Sequence, residues 1–129
     1  VFPVHPRTRK WIESLRDSVS WPPQLQMIEP VGWLDMICLE KNARCIVTDS
    51  GGVQKEAFFY RVPCVTLRDE TEWVESVTLG WNTLLSPTQA PSVMLETVWA
   101  AMQKQGVIDA FPYGEGDAAE KIAAILERV

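Results

Sequence analysis

The sequence contains little of what metal-binding, disulfide-linked or membrane proteins need. Its 129 residues include one histidine and three cysteines, and no Cys-x-x-Cys pair occurs, so neither a metal site nor a disulfide framework is expected. No apolar run approaches the roughly 20 residues of a membrane helix, and the N-terminus lacks the basic-then-apolar order of a secretory signal. We therefore expect Cys38, Cys45 and Cys64 to be buried free thiols, and the protein to be cytoplasmic.

Basic residues are also scarce. The 12 lysines and arginines are outnumbered by 17 acidic residues, which gives a net charge of -5. A strong binder of nucleic acid or of an anionic membrane is usually basic, so we expect neither partner. An acidic protein can still bind a phosphate, because the N–H groups at a helix N-terminus supply a local positive potential.

Short β-rich runs alternate with helical patterns, which predicts an α/β fold with a Rossmann-like parallel sheet and helices on both faces. The predicted strands are 1–5, 25–28, 45–48, 63–67 and 81–85, and the predicted helices are 7–17, 33–42, one that ends near residue 60, 72–78, 91–105 and 117–129. Short connections predict a single domain. The chain begins at Val1, as if a strand were entered midway, so we expect a fragment of a longer protein.

Helical spacing also predicts which apolar side chains are buried. The six tryptophans are expected mainly in the core, apart from Trp33 and Trp73 at loop-to-helix junctions, where an indole could stack on a base or sugar. The expected apolar stripes are Trp11, Ile12 and Leu15; Leu34, Ile37 and Cys38; and Ile122, Ile125, Leu126 and Val129.

The segment from Thr48 to Glu56, Thr-Asp-Ser-Gly-Gly-Val-Gln-Lys-Glu, carries the clearest chemical signal. Ligands of open α/β sheets bind beyond the carboxyl ends of the strands, and Ser50, Gly51 and Gly52 stand where a predicted strand passes into a helix. The glycines leave room for close approach, and N–H groups of the first helical turn can bind a phosphate. Glu56 lies one turn after Gly52 on the same helix face, where it could accept hydrogen bonds from a ribose diol. The segment therefore predicts a nucleoside diphosphate site.

The same segment permits a purely structural interpretation. Asp49 or Ser50 could merely cap the helix, while the two glycines ease a tight turn. Two glycines after a strand are weak support when taken alone, so the motif leaves both interpretations open.

A second polar cluster, Arg68-Asp69-Glu70-Thr71-Glu72-Trp73-Val74-Glu75, follows the next predicted strand and should lie over the same edge of the sheet. Arg68 could pair with a phosphate or with a neighbouring acid. One glutamate could face a sugar hydroxyl or take part in proton transfer. Alternatively the acids form a solvated first helical turn, which composition favours for Glu70 and Glu72 and leaves open for Glu75.

The single histidine, His5, ends the first predicted strand. A lone histidine at such a place is more often structural than catalytic. Its position at the carboxyl end of a strand keeps a functional role open.

Taken together, these segments resemble the non-hydrolysing UDP-N-acetylglucosamine 2-epimerase family. The resemblance keeps its order along essentially the whole chain. The matching segments are His5-Pro6, Pro30 to Leu34 with Met36, Thr48 to Glu56, Pro63 to Asp69, Thr71-Glu72 with Glu75, and Pro112-Tyr113-Gly114. The run Thr-Asp-Ser-Gly-Gly-Val-Gln-x-Glu is the most specific of them.

The resemblance implies a two-domain fold like that of B-type glycosyltransferases. This chain would be most of the C-terminal UDP-binding domain, without its first strand and helix and without the N-terminal domain. Ser50, Gly51 and Gly52 would hold the diphosphate, Glu56 the ribose, and the loop from Val31 to Met36 would border the uracil. Family members often carry glutamine and phenylalanine where this chain has Val31 and Met36, so contacts at these two positions would pass through backbone atoms. The further candidates for substrate or phosphate contacts are Arg68, Thr71, Glu72, Trp73 and Glu75.

The family mechanism, as the resemblance implies it, needs no cofactor. A base removes the proton at sugar C2, UDP leaves C1 to give a glycal, and UDP re-adds as a proton returns on the other face. The acidic residues assigned to proton transfer lie in the N-terminal domain, so this chain is expected to lack catalytic residues and to be inactive alone. The full-length protein is expected to be a homodimer.

One departure from the family pattern bears on the substrate. Common members have arginine after Thr-Glu, whereas this chain has Trp73, which leaves Arg68 as the nearby cation. The runs Glu-Thr-Glu-Trp-Val-Glu and Gly80-Trp81-Asn82 look more like the branch that acts on UDP-2,3-diacetamido-2,3-dideoxyglucuronic acid. Both sugars stay open here, as do two other functions: the donor domain of a B-type glycosyltransferase and a non-catalytic nucleotide-binding module.

Overall fold

A computed structural model describes residues 1–15 and 17–127 and divides the chain into two compact units, Val1–Leu39 and Glu40–Val129. Five short strands and six helices are assigned in the described residues. Within that part of the chain, no helix is long and apolar enough to cross a membrane.

The first unit contains two parallel strands, β1 (Phe2–Pro3) and β2 (Met27–Ile28), with Phe2 opposite Met27. Helix α1 (Pro6–Ser14) joins them, and Pro6 occupies its first turn, where a missing N–H costs nothing. The Nδ1 atom of His5 accepts a hydrogen bond from the N–H of Arg7 at 3.3 Å. His5 is therefore the N-cap of α1, which supports its structural interpretation.

The second unit is built on three parallel strands in the order β3 (Ile46–Thr48), β4 (Cys64–Thr66) and β5 (Asn82–Leu84). Its helices are α3 (Gly51–Tyr60), α4 (Val74–Thr78), α5 (Pro91–Ala101) and α6 (Ala118–Leu126). Helix α2 (Trp33–Lys41) begins in the first unit, and its last two residues belong to the second. All predicted strands and helices are present and are shorter than predicted, although α1 begins one residue early. Residue 16 of the first predicted helix and residues 128 and 129 of the last lie outside the described residues.

Helices cover both faces of the three-stranded sheet. Successive side chains of β4 point to opposite sides, and each side packs against a different helix. Cys64 packs with Ile46 and with Ala57 of α3. Val65, the next residue, packs instead with Leu85 and with Ala101 of α5. The predicted α/β fold with parallel strands and helices on both faces is therefore confirmed in this unit.

The expectation that tryptophans fill the core is wrong for most of them. Of the four tryptophans expected there, Trp81 is 4% exposed, whereas Trp11 is 73% exposed and Trp21 and Trp99 are exposed as well. The predicted stripes of α1 and α6 are likewise largely exposed, at Trp11, Leu15, Ile122, Ile125 and Leu126. Periodicity identifies an apolar face but cannot show whether another element packs on it.

Two expectations for α2 are also corrected. Leu34 is 72% exposed and Cys38 is an exposed thiol, so these two do not line the core. The buried side of α2 runs instead through Met36, Ile37 and Glu40, residues spaced by three and four. Cys45 is partly buried and Cys64 is buried, both as free thiols.

Candidate functional site

Ser50, which follows β3, is the N-cap of α3. Ser50 has extended backbone angles, and its hydroxyl oxygen accepts a hydrogen bond from the N–H of Val53 at 3.4 Å. The N–H of Ser50 itself donates to the Thr48 hydroxyl at 3.1 Å. The capping interpretation is therefore correct for Ser50, but the hydroxyl keeps its own proton for a further acceptor.

The next two N–H groups of α3 have no protein partner. Among the hydrogen bonds of residues 1–15 and 17–127, none has the N–H of Gly51 or of Gly52 as its donor. The first N–H groups of a helix have no intrahelical acceptor, and they lie at the positive end of the helix dipole. This end of α3 therefore offers two free donors to an anion.

The two glycines differ in what surrounds them. A Cβ at Gly51 would lie 2.6 Å from a carboxylate oxygen of Glu72 and 3.7 Å from Nε1 of Trp73. A Cβ at Gly52 would meet only the Ser50 hydroxyl, at 3.8 Å. The second polar cluster thus lies against Gly51, while Gly52 faces open space where a ligand could approach.

A buried polar network fixes the second cluster against α3. The Oε1 atom of Gln54, which is fully buried, accepts hydrogen bonds from the Thr71 hydroxyl at 2.6 Å and from Nδ2 of Asn82 at 3.1 Å. Thr71 also accepts the N–H of Trp73 at 3.1 Å, and Asn82 accepts the Thr66 hydroxyl at 2.8 Å. These hydrogen bonds hold Thr71 against α3, and Thr71 in turn positions Glu72 and Trp73 beside Gly51.

Arg68 pairs with an acid of its own cluster. Its guanidinium lies 3.2 Å from the carboxylate of Glu72, and both side chains are partly exposed. Such an exposed pair stabilises the fold by less than about 1 kcal/mol. The pair is therefore easily opened, and Arg68 can turn to another anion near the start of α3.

Trp73 presents a donor without an acceptor. Its indole Nε1 is buried and makes no hydrogen bond among the described residues. A buried donor left unpaired costs about 1–3 kcal/mol, so its orientation towards Gly51 favours an acceptor from outside the protein. Glu75, in the first turn of α4, accepts a hydrogen bond from the Tyr113 hydroxyl at 3.1 Å, and burial raises the pKa of Tyr113 to about 12.

Glu56 is partly buried on α3, one turn after Gly52. Glu40 is a buried acid at the end of α2. Its pKa is raised by burial and then by the charge of Glu56. Glu40 was missed by sequence reasoning, although it follows Met36 by four residues and so shares its helix side. Gln54, Lys55 and Asn82 were missed as well, since only the folded chain shows what they contact.

The remaining predicted residues lie in the first unit. Val31 and Met36 are both partly buried there, and the N–H of Met36 bonds to the carbonyl of Gly32 within the first turn of α2. That N–H is therefore committed to the helix. The uracil contact of this loop stays a prediction.

Comparisons with known proteins identify relatives of this chain. A family model described as UDP-N-acetylglucosamine 2-epimerase matches residues 1–127. A UDP-N-acetylglucosamine 2-epimerase homolog from Methanococcus maripaludis is 46% identical over 131 residues, which covers all of this chain and 36% of the relative. A UDP-2,3-diacetamido-2,3-dideoxy-D-glucuronate 2-epimerase from Pseudomonas aeruginosa is 45% identical over 129 residues, covering all of this chain and 35% of that protein.

A crystal structure of the Methanocaldococcus jannaschii UDP-GlcNAc 2-epimerase in complex with UDP-GlcNAc and UDP superimposes with a TM-score of 0.82 at 40% identity. The match covers 99% of this chain and 35% of that one. The chain thus spans about a third of the length of the relatives it matches. On the match over residues 1–127 and these identities, the chain belongs to the UDP-N-acetylglucosamine 2-epimerase family.

Proposed function

We propose that this chain is the UDP-holding part of a sugar-nucleotide 2-epimerase. The observation that carries the proposal is the pair of unpartnered N–H groups at Gly51 and Gly52 at the start of α3, with open space beside Gly52. Two N–H groups and a helix dipole suit a diphosphate, and they stabilise negative charge without reorganising. Membership of the family supplies the chemical context.

In this proposal the diphosphate lies against Gly51 and Gly52, with the Ser50 hydroxyl and the indole N–H of Trp73 as further donors. Arg68 leaves Glu72 and turns towards the phosphate. Glu72 is then the negative group that must move aside for the diphosphate, because its carboxylate lies against Gly51 and repels a phosphate. Thr71 contributes indirectly, because its hydrogen bond to Gln54 positions the second cluster. The carboxylate of Glu75 accepts a hydrogen bond from Tyr113.

The ribose contact is assigned to Glu56 and the uracil contact to the loop from Val31 to Met36. The support for Glu56 is its position one helical turn beyond the glycines, which puts phosphate and ribose contacts on one face of α3. The support for the loop is the family resemblance of its sequence.

The reaction proposed for the whole protein is removal of the C2 proton, elimination of UDP from C1, and re-addition with the proton returned to the other face. This chain contributes by stabilising the charge on departing UDP. The proton-transfer residues are assigned to the N-terminal domain, so the isolated chain binds UDP without turning over its sugar. The full-length form is proposed to be a cytoplasmic homodimer.

Two sugars fit the proposal. The Pseudomonas aeruginosa relative, named for UDP-2,3-diacetamido-2,3-dideoxy-D-glucuronate, favours the diacetamido sugar, as does Trp73 in place of the common arginine. The Methanococcus maripaludis relative, named as a UDP-N-acetylglucosamine 2-epimerase homolog, favours N-acetylglucosamine.

Titration calorimetry with UDP, uridine and pyrophosphate tests the binding proposal directly. We expect UDP to bind more tightly than either part, because phosphate and ribose contacts are made together. Equal binding of UDP and pyrophosphate would remove the ribose assignment, and absence of binding by all three would refute the site. Proton NMR of UDP-N-acetylglucosamine incubated with the pure chain is expected to show no epimer, and measurable turnover would refute the division of labour.

A further inference from the structure

Glu40 is an acid buried where an ionised carboxylate should not be stable. Glu40 is 3% exposed. Within the described residues, neither of its carboxyl oxygens receives a hydrogen bond or pairs with a cation. Burying an unpaired carboxylate costs several kcal/mol, so such a group keeps its proton instead. Burial and the nearby charge of Glu56 together raise the pKa of Glu40 from 4.5 to about 7.

Glu56 is the partner that a protonated Glu40 can use. Glu56 is the neighbour whose charge and side chain raise the pKa of Glu40, yet two ionised carboxylates have no proton between them to share. The contact becomes a hydrogen bond only when Glu40 carries the proton and donates it. Such a bond to an ionised acceptor is about twice as strong as one between neutral groups.

The other titratable groups around Glu40 do not replace this bond. Tyr60, also on α3, has its pKa raised by burial and then by the charges of Glu40 and Glu56. Cys64 on β4 has its pKa raised to about 12, mainly by burial, so it stays a neutral thiol. The ammonium of Lys41 lies 5.8 Å from the centroid of the Tyr60 ring.

We propose that Glu40 is a positioning residue for nucleoside recognition: as a neutral acid it donates a hydrogen bond to Glu56 and holds that carboxylate in the orientation that accepts the ribose hydroxyls. The ribose role of Glu56 in this statement rests on the proposed function. Once Glu40 ionises, the two carboxylates repel each other and the hydrogen bond is lost. Glu56 then loses its fixed orientation, and ribose binding weakens.

The binding test compares UDP-N-acetylglucosamine affinity at pH 6 and pH 8.5 in the unmodified chain and in Glu40→Gln. This ligand is chosen because each of its phosphates carries one ester and one anhydride bond and so keeps a constant charge over this range, whereas the terminal phosphate of UDP titrates at pH ~6. The unmodified chain is expected to lose about tenfold in affinity over this range, the value of one hydrogen bond. Glu40→Gln keeps a donor and cannot ionise, so its affinity is expected to stay level. Glu96→Gln, an exposed change on α5, is the matched control and should follow the unmodified chain.

A second measurement needs no ligand. Carbon-13 NMR titration of the glutamate carboxyls is expected to show Glu40 with a midpoint near 7, and a lower midpoint in Glu56→Gln because the neighbouring charge is gone. A Glu40 midpoint near 4.5 would overturn the shared proton, and the same pH loss in Glu40→Gln as in the unmodified chain would overturn the positioning role. If no nucleotide binds at any pH, the proposed function fails and the ribose role fails with it, while the NMR titration still decides the shared proton.

Discussion

The ammonium group of Lys55 lies 4.1 Å from the centroid of the Trp73 indole ring. The same group is 4.9 Å from the centroid of the Tyr113 ring, and the two aromatic rings meet edge to face. Lys55 is on the first turns of α3, Trp73 follows β4, and Tyr113 comes from a distant turn. A cation over aromatic faces therefore joins three segments and fixes the indole N–H beside Gly51.

Replacing Trp73 by phenylalanine should separate the ring from its N–H. Phenylalanine keeps an aromatic face for Lys55, and removal of the unpaired buried N–H offsets the packing lost with the smaller ring, so stability should change by less than about 1 kcal/mol. UDP affinity should fall about tenfold, because a hydrogen bond to a charged acceptor is lost. Calorimetry and thermal unfolding check both parts, with Trp99→Phe on α5 as control. Unchanged affinity would exclude the indole as a phosphate donor.

Replacing Gly52 by valine should abolish UDP binding with little effect on the fold. The space beside Gly52 is open, and valine is a better helix former than glycine, so stability should stay within about 1 kcal/mol of the unmodified chain. The added side chain would fill the space that the phosphate needs. Calorimetry with UDP measures the loss, and Ala119→Val, at the corresponding position of α6, is the control. Binding that survives in Gly52→Val would place the anion elsewhere.

Replacing Glu56 by alanine should weaken UDP more than pyrophosphate. Only UDP carries the ribose hydroxyls that the carboxylate would accept, so we expect a loss of about tenfold or more for UDP and little change for pyrophosphate. Parallel titrations with the two ligands measure the difference, and Glu96→Ala controls for the charge removed. Equal losses for both ligands would contradict the ribose role.

Replacing Asn82 by alanine should destabilise the second unit. Asn82 is 3% exposed and bonds to both Gln54 and Thr66, so its removal leaves buried polar groups unpaired. The expected loss is about 2–3 kcal/mol in the free energy of unfolding, measured by urea denaturation. Thr83→Ala, the next position along β5, should cost less. A loss no larger than that of Thr83→Ala would show that the network does not stabilise the fold.

The stability of the chain should carry the pH signature of Glu40. Its pKa is raised from 4.5 to about 7 by burial and by Glu56, so between these values the folded state holds a proton that the unfolded state has released. Stability relative to Glu40→Gln should therefore fall as the pH rises from about 4.5 to 7 and stay level above that. Urea denaturation of both proteins at several pH values measures this difference. A difference independent of pH would mean that Glu40 titrates normally.

Much of the fold could be read from residue patterns. Alternating β-rich and helical runs predict the parallel strands and the order of the helices, because hydrophobic period and chain punctuation act locally. The run Thr48 to Glu56 likewise predicts the strand-to-helix passage, since a capping residue that follows a β-rich run marks the start of a helix. Burial of the amphipathic faces was less predictable, as exposed Trp11 and Leu34 show.

The sequence by itself determined the start of α3 and its two free N–H groups, because caps and glycines act within one turn of chain. Only the tertiary structure decided what lies beside them. Glu72 and Trp73 come to Gly51 through Thr71 and Gln54, residues 17 apart, and Glu40 comes under the influence of the Glu56 charge although the two residues belong to different helices. Such contacts depend on how strands and helices pack, and no local pattern records which distant side chain will fill a given space.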